Sequence, residues 1–166
     1  MKIRNIITAA ITAATLTSAA FAETTSHKLH VYKYWATAFV SGDSGNWCSA
    51  YTNKRDGGSL SINSNGNSVR VQVFTPNGNW RDSSSSLTFQ IDNRRRWTTP
   101  DARYFKNSIF TPNLKTQVLE ELAYGNNIHL FNWRGEFVES YSLAGSKAAM
   151  DALLDCVNKL GHRTAS

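Results

Sequence analysis

A two-residue period constrains this chain more than any other feature. In Ser68–Thr75, Val69, Val71 and Val73 alternate with Arg70 and Gln72. Successive side chains of a strand point to opposite faces, so this run reads as a strand with one face buried. Leu60 and Ile62 alternate with serines in Ser59–Asn63, and Leu87, Phe89 and Ile91 share one side of Ser86–Asp92. Tyr34–Gly42 and a run from Trp47 add aromatic and β-branched residues. The separators DGG, NSNGN, TPNGN and DSSSS are turn formers. Short alternating runs divided in this way specify antiparallel hairpins in a meander. The polar stretch before Leu29 is expected to fray.

The period changes after residue 110. In TPNLKTQVLEELAYGNN, Thr111 is placed to cap a helix and Pro112 to take its first position. Leu114, Val118 and Leu122 fall on one face, and Gly125 stands where a C-terminal cap belongs. Two strands follow, NIHLFNW and EFVESYS, joined at Arg134-Gly135. A second amphipathic helix turns Ala149, Ala152, Leu153, Cys156, Val157 and Leu160 inward, with Gly161 as its stop. The expected fold is one mainly β domain with two helices (α+β). Its sheet forms an antiparallel sandwich or a partly closed barrel, with the C-terminal helix covering part of it.

The N-terminus places Lys2 and Arg4 before the short apolar stretch Ile6–Leu16, and Ala20-Phe21-Ala22 follows. This is the pattern of a secretory signal peptide over residues 1–22, leaving a single domain over 23–166. The apolar run is too short and too rich in Ala and Thr for a transmembrane anchor. The expected location is the periplasm or the exterior, without stable membrane insertion. Loss of Lys2 and Arg4 lowers the net charge from +6 to +4. That mild basicity suits an anionic envelope or host ligand or an acidic protein face, and is too weak to indicate nucleic acid.

The chain has two cysteines, Cys48 and Cys156. In an oxidising compartment the expected state is a Cys48–Cys156 disulfide, the only intramolecular pairing; two free thiols or an intermolecular bridge are the alternatives. The apolar helix face around Cys156 favours a buried structural bridge that ties the last helix to an early strand.

Catalytic signatures are sparse. The four histidines lack metal-ligand spacing, and neither HExxH, CxxC, GxSxG nor a glycine-rich phosphate loop occurs. No cofactor, metal or catalytic residue is expected. The sharpest local feature is IDNRRRWTTPDARYF, where Arg94, Arg95, Arg96 and Trp97 precede Arg103 and Tyr104. Guanidinium groups pair with carboxylate and phosphate and stack on aromatic faces, so the run reads as a docking patch. The alternative is a strand with solvated arginines, a core Trp97, and pairing to Asp92 or Asp101. Trp47 and Trp80 beside Gly and Asn are candidate stacking residues.

The order of these segments resembles the invasion-associated locus B family of exported alphaproteobacterial proteins. The resemblance rests on the Trp/Cys segment at Trp47-Cys48, PNGNW, a strand opening at Arg96-Trp97, AYGNN, and the closing YSLAGSKAAMDALLDC. It spans most of residues 47–160 and departs from the family pattern at Ser146, where an aromatic is usual, and in having one cysteine pair. It implies a β-rich, non-enzymatic envelope protein associated with host contact and virulence, and transfers no catalytic residue. The expected function is therefore binding. An inhibitor or immunity protein against a toxin or hydrolase is the second class, and a small envelope hydrolase the third.

Overall fold

The computed structural model describes residues 25–42, 45–114 and 116–163. The expected signal peptide lies outside them. Among the described residues ten strands form one antiparallel sheet: β1 (Thr25–Tyr32), β2 (Trp35–Gly42), β3 (Gly45–Asn53), β4 (Ser59–Ser64), β5 (Val69–Phe74), β6 (Trp80–Ile91), β7 (Arg96–Lys106), β8 (Ser108–Thr111), β9 (Asn127–Phe131) and β10 (Phe137–Ser142). Helix α1 (Thr116–Tyr124) stands between β8 and β9, and α2 (Ser146–Arg163) follows β10. The sheet order is β1-β2-β3-β4-β5-β8-β7-β6-β9-β10. Strands β1 to β5 are a simple meander. The β6–β7–β8 meander then docks in reverse, with β8 against β5.

The expected alternation is realised. Leu60, Ile62, Val71 and Val73 are fully buried, and Val71 faces Ile62 while Val73 faces Leu60. Ile109, Tyr104, Phe89, Leu130 and Tyr141 on later strands are buried as well, with Ile109 opposite both Val73 and Tyr104, and Phe89 opposite Leu130. All lie on one inner face. The sheet does not close into a barrel; it folds over its core in a sandwich-like manner. Contacts made by Tyr141, Lys54 and Trp35 hold the far end against the near one. The Tyr141 hydroxyl donates to the Ser59 and Phe74 carbonyls, and Lys54 pairs with Glu139 on β10. The Trp35 indole donates to the Ser142 carbonyl at 2.9 Å.

Helix α2 covers the inner face of β1–β3, and α1 packs on α2. Ala149, Met150, Leu153 and Cys156 are its buried apolar side chains. Cys156 bonds Cys48 with a Cα–Cα distance of 6.0 Å. Ser146 sits in the turn that opens α2, where its hydroxyl donates to the Leu122 carbonyl at 2.7 Å. Gly145 has φ +97°, and a Cβ there would overlap the Tyr32 carbonyl. The SLAGS segment is thus the device that starts α2 against β1.

Several local expectations are corrected. Thr111 is not a helix cap. Its hydroxyl accepts from the Val71 amide at 3.0 Å, the Leu114 amide donates to Val69, and pairing with β5 displaces the helix start to Thr116. Gly125 does follow α1, yet its role is spatial: a Cβ would collide with Ile91 and Leu143. Helix α2 continues through Gly161 to Arg163. The serines of DSSSS form strand, with Ser83, Ser84 and Ser85 opposite Tyr104, Arg103 and Ala102. Polarity misread them as a turn because they occupy a long, solvent-facing stretch of β6. The polar residues from Thr25 are strand too, paired along β2.

Candidate functional site

The arginine run does not alternate along one strand. Arg94 and Arg95 lie in the β6–β7 turn, and only Arg96 enters β7. The Arg94 amide donates to the Ile91 carbonyl, closing that turn. All three arginines are exposed, so none needs an inward acidic partner. Asp92, the expected partner, instead accepts from the Asn126 and Asn127 amides at 3.0 and 2.9 Å. Asp101 is exposed on β7.

Arg95 and Arg96 then part company. The Arg95 guanidinium stacks 3.7 Å from the Trp97 ring centre and lies 3.8 Å from Glu121 on α1. The Trp97 indole donates to Glu121 at 3.0 Å. Trp97 sits opposite Phe89, half-buried against the core. This trio joins the hairpin to α1 and has a structural task. Arg96 stands on the other face. It lies 4.6 Å over the Phe131 ring, and its Nε donates to Gln90 at 3.3 Å. Phe131 meets Phe137 edge-on at 6.1 Å, and His129 lies against Phe137. Phe137 is 60% exposed.

The same pairing recurs across the outer face. Arg103 projects between buried Ala102 and Tyr104 and faces exposed Phe110 on β8. Arg70 projects between Val69 and Val71, 4.3 Å over Trp47 on β3. Two stacked arginine–aromatic pairs, Arg70/Trp47 and Arg96/Phe131, thus mark the outer face, and Arg103 stands opposite Phe110 in the β7–β8 register. Polar residues such as Gln72, Ser84, Thr88 and Gln90 fill the rows between them. Arginine stacked on an aromatic ring keeps its N–H fork free at the edge, ready for a carboxylate, sulfate or phosphate.

Two expected site residues face the other way. Tyr104 is 1% exposed, and its hydroxyl donates to the Ser86 carbonyl at 2.7 Å. Burial pushes its phenol up to about 12, against a smaller opposing effect of a Trp133 backbone hydrogen bond. Trp80 opens β6 and packs edge-on against Tyr104 and Trp133, at the inner rim. It therefore shares no platform with Trp47. The residues that sequence reasoning missed are Arg70, Phe110, Phe131 and Phe137. The signal for Phe131 was present, since it alternates with Ile128 and Leu130. Among the described residues no group of three or more His, Cys, Asp and Glu is arranged to hold a metal ion. None of the described helices is long and apolar enough to cross a membrane.

Comparison with protein-family models, curated protein sequences and solved structures finds no match to this chain.

Proposed function

We propose that this is an exported, non-catalytic binding protein that docks an anionic partner on the outer face of its sheet. The observation that carries this is the arginine–aromatic stacking at Arg70/Trp47 and Arg96/Phe131, with Arg103 set opposite the exposed Phe110 on the same face. Arginine and aromatic residues are the types enriched where proteins bind partners. Export is supported by the signal-peptide pattern of residues 1–22 and by the buried disulfide, which suits an oxidising compartment. Arg94, at the exposed tip of the β6–β7 turn, extends the basic surface.

The test uses the partner captured from an envelope extract and then purified. Its affinity is measured with the wild type and with Arg70→Ala, Arg96→Ala and Arg103→Ala combined. The triple variant should bind at least tenfold more weakly at low salt while its melting temperature stays close to wild type. The difference should shrink as salt is raised, because exposed charges are screened over about 8–10 Å. Trp97→Ala is the control. It should cost stability on the order of 2–3 kcal/mol, since Trp97 is only half-buried, and leave the affinity of the folded protein unchanged. Equal affinity of wild type and triple variant would sink the proposal. A captured partner that proves to be an enzyme silenced at one-to-one stoichiometry would instead favour an inhibitor.

A further inference from the structure

A second surface lies at the opposite end of the sheet from the Arg96 cluster. Among the described residues strand β1 is the terminal strand and pairs only with β2, so within them its other edge carries unpaired backbone groups. Such an edge is a template for another strand. Beside it, between β1 and α2, runs a groove of about 690 Å³. Its floor is Phe39, Ala152 and Cys156, and the small alanines at 148 and 152 leave the space open.

The bulge at Leu29 shapes one wall. The register shifts between Lys28 and His30, so His27 faces Phe39 and His30 faces Thr37. Two histidines three residues apart therefore share the inner face, which an unbroken strand would forbid. Leu29 lines the groove and is 44% exposed. The opposite wall carries Asp151 and Asp155, one helical turn apart. Lys147 engages Asp151 at 2.7 Å. Among the described residues no cation lies within ion-pair distance of Asp155, although Lys159 lines the groove one turn further on. On this helix face Asp155 is the carboxylate that the described residues leave without an ion pair, set above an apolar floor.

We infer that the groove between β1 and α2 takes an extended peptide segment of a partner protein, added as a strand to the β1 edge with a basic side chain set against Asp155. Main-chain hydrogen bonds to β1 supply affinity, and the groove reads alternate side chains. One inward side chain is apolar and lies over the Ala152 side of the floor; another is Lys or Arg and meets Asp155. The Leu29 bulge interrupts the ladder and keeps the added strand short. This site stands apart from the outer arginine face and does not depend on it.

Fluorescence polarisation with a labelled, capped octapeptide of alternating apolar residues, carrying two lysines among its inward positions, tests the assignment. A companion peptide replaces the lysines with glutamates, and a third is N-methylated at alternate residues. The lysine peptide should bind best. Asp155→Asn should weaken it about three- to fivefold, as expected for an exposed ion pair. N-methylation should weaken it at least tenfold, because the ladder donors are lost. Ala152→Gln should block the groove; should that variant fail to fold, the N-methylated peptide still decides with the wild-type protein. Equal binding of lysine and glutamate peptides, or no effect of N-methylation, overturns the assignment. A dimer in sedimentation that excludes the peptide also overturns it, by giving the β1 edge to a second copy.

Discussion

Replacing the Cys48–Cys156 bridge by two alanines should cost this domain about 6–7 kcal/mol, most of it through the unfolded chain. The bridge joins residues 108 apart in sequence. Closing a loop of that size removes chain entropy worth about 4.7–5 kcal/mol at room temperature. Cys48 and Cys156 are 0% and 7% exposed, so Cys48→Ala with Cys156→Ala also empties two buried sulfur positions. That adds on the order of 1–2 kcal/mol. For a domain of this length each kcal/mol shifts the melting temperature by roughly 3–4 °C, so the combined loss corresponds to a fall of about 18–28 °C. Urea denaturation separates the two causes. A chain without the crosslink exposes more surface when it unfolds, so the denaturant slope should rise; lost packing alone would leave it unchanged. A loss below about 2 kcal/mol with an unchanged slope would refute the reasoning. It would mean that α2 is held by its own contacts with β1–β3 and that the unfolded chain is already compact.

Gly145→Ala should cost at least ~2 kcal/mol, because the left-handed backbone and the Tyr32 carbonyl both oppose a Cβ, whereas Gly135→Ala, at φ +75° in open space, should cost only ~1 kcal/mol. Equal costs by chemical denaturation would show that the Gly145 contact is soft. Alkaline pH provides a further test. Tyr104 is raised to about 12 and Tyr141 further, both chiefly by burial, and Lys54 is raised by its hydrogen bond with Glu139. Groups with raised folded values stabilise fully below their ordinary values of 10.0 and 10.5, and that stability is lost as pH climbs through the folded values. The melting temperature should therefore fall above about pH 10 and less steeply in Tyr141→Phe, which at pH 8 loses about 1 kcal/mol with its hydrogen bonds to Ser59 and Phe74. A flat profile to pH 12 would contradict this.

The two-residue period was enough to name the inner face of β4, β5 and the second half of β6, and the helical period was enough to place Cys156 inward. These are local properties: a strand alternates and a helix repeats wherever it lies, and burial selects the apolar side. Polarity alone misled at Ser83–Ser85 and Thr25–Lys28, because strands at a sheet's edge or outer surface need no apolar residues. The Thr111 cap failed because a long-range bond to Val71 outcompeted a local one. The candidate site was legible in residue type and not in arrangement. The arginine run could be seen, but consecutive residues separate at a turn, so Arg95 went to Trp97 and Glu121 while Arg96 went to Phe131. Which arginine meets which ring depends on strand order and register, and the placing of β8 between β5 and β7 is what sets Phe110 beside Arg103. Likewise, only the Leu29 bulge puts His27 and His30 on one face, and only the docking of α2 sets them across a groove from Asp155. Periodicity is carried by neighbours along the chain, but contacts between strands are decided by which long-range pairing buries the most apolar surface with its backbone groups satisfied.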